Sequence, residues 1–491
     1  MKKKILLTIA IVVFAIISCK KDLTGLNVDT KDASMVPAEA LFANAQKNLS
    51  DLLASTNVNL NVFRLITQQW TETTYTDESR YNLTTRMIPD NFFQVLYRDV
   101  LEDFQQAKNI IASDPSKSAG VKANQLAIAD IMEVYAYQML VNTFGNVPYT
   151  AALNYANITP KYDDAYTIET DLLNRLTVDI ANLSANSTSA SYGSSDLIYA
   201  GNISAWIKFG NTLKLKLAML FADKYPAIAA TNITSSLIAG VFQSNADNAL
   251  VKYLNTTPNT NPLWIDLVQS GRTDFVASQT IVNMMESLND PRMPMYFTQI
   301  SGAYVGGVNG ASNIYSSYSA PSSLFVNPTL ASVFLDYAET EFLLAEAAER
   351  GLGGASGAEA YYNAGVQASI QYWYDIVNAS GTINTGTNSA TAYSAYITQP
   401  SVAYSTATGT YKQKIGQQKY IALYNRGFDA WTEWRRLGYP VLQPATGAST
   451  GIPVRFTYPI KEQNLNGANY SQAAGVIGGD FVTTRLFWDI N

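Results

Sequence analysis

The chain contains no histidine, and its single cysteine is Cys19. Histidine general bases, serine–histidine triads, histidine-ligated metals and an internal disulfide are thereby excluded. Catalysis would fall to carboxylate pairs, Ser–Lys arrangements, tyrosine or an oxygen-ligated metal. Tyrosine is plentiful, at 31 residues against 19 phenylalanines, as expected for adaptable recognition surfaces. It concentrates with amides and hydroxyls in two segments. One runs from Thr71 to Tyr81 and offers Tyr75, Arg80 and Tyr81 as candidate ligand contacts. The other starts at Asn261 and offers Trp264, Tyr296, Tyr304, Tyr315 and Tyr318, with Asn309 among them. Aromatic planes stack on the apolar C–H faces of sugars, while amides, carboxylates and guanidinium groups pair with hydroxyls or peptide bonds. Sugars and peptides are both open as ligands. The competing reading is that these tyrosines seal loops onto the core.

Other motifs point away from reactive chemistry. The glycines between Gly302 and Gly310 are not followed by a lysine in P-loop spacing, which argues against a phosphate site. Asp77-Glu78 and Asp163-Asp164 could offer oxygen to Ca²⁺, but neither has EF-hand spacing. The expectation is a protein with no metal, no cofactor and no enzymatic activity. A glycan hydrolase with two carboxylates stays open on composition, since it needs neither histidine nor cysteine. So does a helical adaptor that binds only protein.

Composition narrows the partners. Charged residues make up 15 % and apolar residues 47 % of the chain. The chain can therefore bury a large core, while its polar surface must come mainly from Asn, Gln, Ser and Thr. That surface suits neutral polar ligands. The net charge of −6 gives no basic stripe for nucleic acid and no polybasic route to anionic lipid.

The N-terminus sets the expected compartment. Lys2, Lys3 and Lys4 precede an apolar run from Ile5 to Ile17, broken only by Thr8. Such a run is too short to span a bilayer and suits a signal-peptide core. Ser18-Cys19 follows, and resembles a lipobox at which a signal peptidase cuts before an acylated cysteine. Residues 1–18 are thus expected to be a lipoprotein signal peptide, 19–36 a lipidated tether, and 37–491 a single domain. Membrane contact is expected through the anchor alone.

Helical periodicity dominates the first half. The pattern predicts helices at Ala38 to Ser55 behind Pro37, Asn57 to about Glu72, Asn91 to Ala112, Val121 to Val141, Ile168 to Ser184 and Asn202 to Tyr225. Residues 243–330 read as a long aromatic-rich loop region with a short extended piece at Ala249 to Tyr253. Helices return at Leu330 to Arg350, Ala358 to Tyr374 and Lys412 to Arg436, with 379–410 as another loop. The stripe Tyr424, Phe428 and Trp431 reads as core. The fold class is mostly α, with helical pairs of tetratricopeptide type supporting a loop-rich ligand face with few short strands.

Several blocks then resemble the SusD/RagB family of nutrient-binding lipoproteins, in its second, SusD-like branch. They are Phe42 to Gln46, Asn57 to Arg64, Gln68-Gln69-Trp70, Phe144 to Tyr149, Tyr337 to Ala347, Tyr420 to Trp431, and Arg455 to Asp480. They occur in order along nearly the whole chain. The resemblance implies four tetratricopeptide-like helical pairs and an irregular ligand face. It also implies a surface lipoprotein of the outer membrane of Bacteroidota, which passes oligosaccharide or peptide to a SusC-like, TonB-dependent transporter.

Overall fold

A computed structural model describes residues 36–491. The expected signal peptide, Cys19 and nearly all of the expected tether lie outside the described residues. The long helices are α1 (Ala38–Ala54), α2 (Glu102–Ser113), α3 (Ala119–Phe144), α4 (Ala165–Ala185), α5 (Ile203–Leu220), α6 (Pro226–Ala239), α7 (Gln279–Ser287), α8 (Tyr337–Glu349), α9 (Ala358–Ser380), α10 (Tyr411–Ala422) and α11 (Gly427–Leu437). Helices α1 and α2, α3 and α4, α5 and α6, and α8 and α9 pack as four pairs, and each pair touches the next. This is the mostly α, tetratricopeptide-like architecture that the periodicity predicts.

The helices begin where side chains satisfy the free backbone donors of the first turn. Ser118, Asp164, Asn202 and Asp336 cap α3, α4, α5 and α8 in turn. Helix α3 is buried on all sides from Ala127 to Phe144 apart from Asp130, so it forms the centre of the stack. Beside it, Phe63, Phe92, Phe144, Trp431 and Phe456 form one aromatic nucleus, with Phe63 stacked on Phe456 at 5.1 Å. The stripe Tyr424, Phe428 and Trp431 is buried.

Three two-stranded antiparallel sheets stitch the loops to the helices. Strand β1 (Trp70–Glu72) pairs with β5 (Phe275–Ala277), β2 (Val147–Pro148) with β3 (Tyr162–Asp163), and β4 (Ala249–Val251) with β6 (Ser332–Leu335). Three helical expectations are overturned, two of them by these pairings. The stretch after Asn57 holds only a single turn, Phe63–Ile66, before β1. The stretch from Leu330 starts as β6, and α8 begins only after Asp336. Residues 412–436 form two helices. Asn425 breaks them at φ 68°, held there by a bond from its amide to Gln69 and one from Arg64 to its side chain. Helices α6 and α7 and a short one at Ser389–Ile397 stand where no helix was expected.

Among α5, α8, α10 and α11 lies a buried ionic lattice. Arg426 bridges Asp336, Glu339 and Asp429, and Lys216 bridges Glu339 and Asp429. Arg436 joins Glu346 to Glu433, Lys419 pairs with Glu433, and Arg350 ties Glu346 to Asp223. Burial opposes ionisation of Glu339, Glu346 and Glu433. The cations beside them nonetheless hold all three below the ordinary glutamate range.

Candidate ligand-binding face

The β1–β5 ribbon brings the two tyrosine-rich segments together. Asn313 donates its backbone N–H to the Thr73 carbonyl at 2.7 Å and its side-chain amide to the Glu72 carbonyl at 2.9 Å. Arg80 donates Nε–H to the Gly310 carbonyl at 2.7 Å. Gly310 has φ 75°, and a Cβ there would stand 2.4 Å from the Thr446 carbonyl. Only glycine permits this approach of the 440s loop.

Two open clefts lie on this face, one at the start of α7 and one at its end. The first, of about 290 Å³, is lined by Gln68, Gln279, Thr280, Asn283, Asn309 and Gln443 with Pro444 and Thr446. Its floor is a neutral network. The Gln68 carbonyl oxygen accepts from Thr280 Oγ1 at 2.7 Å and from Asn309 Nδ2 at 3.1 Å. The Gln68 amide donates to the Gln443 carbonyl and to the Tyr81 hydroxyl. Asn309 Oδ1 is buried with no hydrogen-bond partner among the described residues, which leaves an acceptor to be satisfied at the cleft.

The second cleft, of about 740 Å³, is larger and aromatic. Tyr304 lines it with Asn289, Gln299 and Gln399, the buried Tyr374 and Tyr396 stand behind its wall, and Glu286 and Asp290 supply its carboxylates. Asp290 is already engaged, by Arg292 Nε at 2.8 Å and the Tyr396 hydroxyl at 2.8 Å. Neither lining includes lysine or arginine. The volumes are of the size that holds small ligands.

The candidate residues separate into surface and interior. Tyr304 lines the large cleft. Tyr75 is 62 % exposed, with the Arg272 guanidinium 5.9 Å from its ring centre. Tyr315 is exposed, and Tyr318 and Trp264 are half-buried. Arg80 is half-buried and spends its Nε on Gly310. Tyr81 is buried at φ 67° and reaches the amide cleft only through its hydroxyl. Tyr296 has to be corrected. It is fully buried, stacks on Tyr424 at 4.2 Å and donates its hydroxyl proton to the Ile421 carbonyl at 3.0 Å. It holds the ligand face to the core and does not belong to its surface.

Sequence reasoning missed Gln68, Thr280, Asn283, Gln443 and Gln399. Their types are common along the chain, and they meet only through long-range pairing. The signal that was available is the motif Gln68-Gln69-Trp70, where polar amides precede a strand. Of the calcium candidates, Glu78, Asp163 and Asp164 bind protein groups. Glu78 pairs with Arg86 at 2.5 Å, and Asp163 accepts from the Thr150 amide at 2.7 Å. Burial, together with the neighbouring Glu78 carboxyl, pushes Glu72 up to about 9.

Comparison with known proteins gives a concordant picture. The sequence model of a family described as SusD-like, starch-binding and associating with the outer membrane matches residues 30–459. Among solved structures, a chitin-binding protein shares 26 % identity over 92 % of this chain and 100 % of its own, with a TM-score of 0.78. A SusD homologue from Bacteroides fragilis shares 23 % identity over 93 % of this chain and 99 % of its own, with a TM-score of 0.76. A chitin-binding SusD homologue from Flavobacterium johnsoniae shares 24 % over 92 % and 99 %, with a TM-score of 0.74. A comparison with curated protein sequences returns no match. The match over most of its length places the chain in the SusD-like family.

Proposed function

From that membership we propose that the chain is a binding protein of the outer membrane that captures a neutral oligosaccharide on its loop face. The observation that carries this reading is the pair of clefts at the two ends of α7. They offer amides, hydroxyls and the Tyr304 ring, with no lysine or arginine in either lining. Amide groups both donate and accept, which matches sugar hydroxyls and the acetamido groups of N-acetylated sugars. The chitin-binding relative at 26 % identity favours N-acetylglucosamine chains, and the family description keeps starch-type glucans in view. Among the described residues no helix is long and apolar enough to cross a membrane. A lipid anchor at Cys19 would hold the protein to the outer membrane at the cell surface, and a TonB-dependent transporter would receive the ligand.

Hydrolysis is the weaker reading. A glycosidase needs two carboxyl groups about 5–10 Å apart around the bond it breaks. In the large cleft Asp290 is bound to Arg292 and Tyr396, which leaves Glu286 alone. Calorimetry of residues 20–491 against N-acetylglucosamine oligomers, maltooligosaccharides and peptides tests the proposal, with reducing ends followed in the same samples. Saturable binding of intact glycan supports it. Heat with peptides alone would move the ligand class to peptide, and release of reducing ends would replace binding by catalysis.

A further inference from the structure

The two clefts meet on one helix. Gln279 and Asn283 line the amide cleft, and Glu286 lines the tyrosine cleft. These three positions are spaced four and three residues apart on α7, so they share one face. Asn283 and Glu286 are both exposed. The distance from the first to the last is roughly 10 Å along the axis at about 1.5 Å per residue. The opposite wall is also continuous. The chain from Tyr304 in the tyrosine cleft to Asn309 in the amide cleft runs beside the start of α7, with the Gln279 amide donating to the Gly307 carbonyl at 2.8 Å. A Cβ at Gly306 would stand 2.4 Å from the Gln279 Cα, so this wall lies directly against the helix.

We propose that the two clefts are the two ends of one continuous site, which takes an extended oligosaccharide along the exposed face of α7 and rejects anionic sugars. The inference rests on the binding reading above and adds the length and charge of the ligand. A single ring cannot reach from Gln279 at one end to Glu286 at the other, so several linked units are needed to fill both clefts. The amide end, with the open acceptor of Asn309, takes groups that donate hydrogen bonds. The tyrosine end takes ring faces on Tyr304. Glu286 sets the charge rule. With no cation in either lining, a uronate or sulfate near it meets like charge without compensation.

Isothermal titration with N-acetylglucosamine and maltose ladders from two to six units tests this directly. The bound hexamer is expected to be at least tenfold tighter than the dimer in one of the two series. Asn283→Ala and Tyr304→Ala should each weaken the hexamer about tenfold, while only one of them affects the dimer. A hexamer of the same length with uronate at alternate units should bind at least tenfold more weakly than the neutral one, and Glu286→Gln should narrow that gap. Binding that does not grow with length, or a hexamer indifferent to either cleft variant, overturns the continuous site. Equal affinity for neutral and uronate hexamers overturns the charge rule. Absence of heat with every member of both ladders would instead overturn the glycan reading on which the inference rests.

Discussion

Around α5, α8, α10 and α11 the buried polar groups are charged and paired, as in Arg426 with Glu339 and Asp429 or Arg436 with Glu346. On the loop face the corresponding groups are neutral amides and hydroxyls, as in Gln68 with Thr280 and Asn309. The carboxyl beneath that face, Glu72, is driven toward its neutral form. The difference separates two tasks. Charges locked between helices fix how the pairs pack, and removing one partner strands the other in a low-dielectric interior. A face that must exchange a neutral ligand with water holds its groups in networks whose bonds a sugar can replace.

The largest effect that would sharpen this contrast is expected in the lattice. Glu346→Ala leaves Arg436 and Arg350 without their shared carboxylate and should cost about 3–5 kcal/mol of stability. Denaturant unfolding reads the loss. Glycan affinity of the folded protein should be unchanged, and a parallel loss of affinity would break the separation of tasks.

Next in size is Glu169 on α4, which is fully buried with neither carboxylate oxygen partnered among the described residues. Burial alone raises its pKa well above the ordinary value. Glu169→Leu should stabilise the fold by about 1–3 kcal/mol, the cost of an unsatisfied buried polar group. A destabilised variant would mean that a partner satisfies the carboxyl.

The two regions should also respond oppositely to pH. The paired glutamates of the lattice have lowered values, so their stabilisation is present above about pH 4.5 and is lost on acidification. Glu72 is protonated in the fold at neutral pH and ionised in the unfolded chain. Its contribution is complete below about pH 4.5 and is lost as pH rises through about 9. Glu72→Gln should therefore flatten the alkaline limb of a stability–pH curve and leave the acid limb intact. Movement of the acid limb would contradict the assignment.

The smallest expected change separates two tyrosines. Tyr296→Phe loses one buried hydrogen bond, about 1 kcal/mol of stability, with no change in glycan affinity. Tyr304→Phe keeps the ring in the cleft and should leave stability unchanged within about 0.5 kcal/mol, as is usual for a substitution away from the core. Thermal melts and titrations of the two variants together check the assignment of one ring to the core and the other to the face.

The helical scaffold was legible because its signals are local. Pro37 just ahead of the first turn and the apolar spacing of Phe42, Ala45 and Leu49 define a helix without reference to the rest of the chain. The failures were long-range. Residues 57–72 carry helical spacing, yet Trp70 pairs with Ala277 some two hundred positions away. Residues 412–436 read as one helix until Gln69 and Arg64 fix Asn425 in the left-handed region. The candidate face was marked in the sequence only as a region. Tyr75, Tyr304 and Tyr315 reach its surface or a cleft, whereas Tyr296, drawn from the same segment, turns inward to stack on Tyr424. A tyrosine that seals a loop and one that meets a ligand are the same letter until packing decides which way each ring faces.

On the proposed function the loop face binds glycan and leaves it intact. The most direct measurement is calorimetric titration of the wild-type chain with an N-acetylglucosamine hexamer and a maltohexaose, followed by analysis of the recovered sugar. Saturable heat with one of them, abolished or weakened by Tyr304→Ala and accompanied by fully intact hexamer, is the predicted result. Shortened sugar in the recovered sample, or heat that Tyr304→Ala leaves untouched, would contradict it.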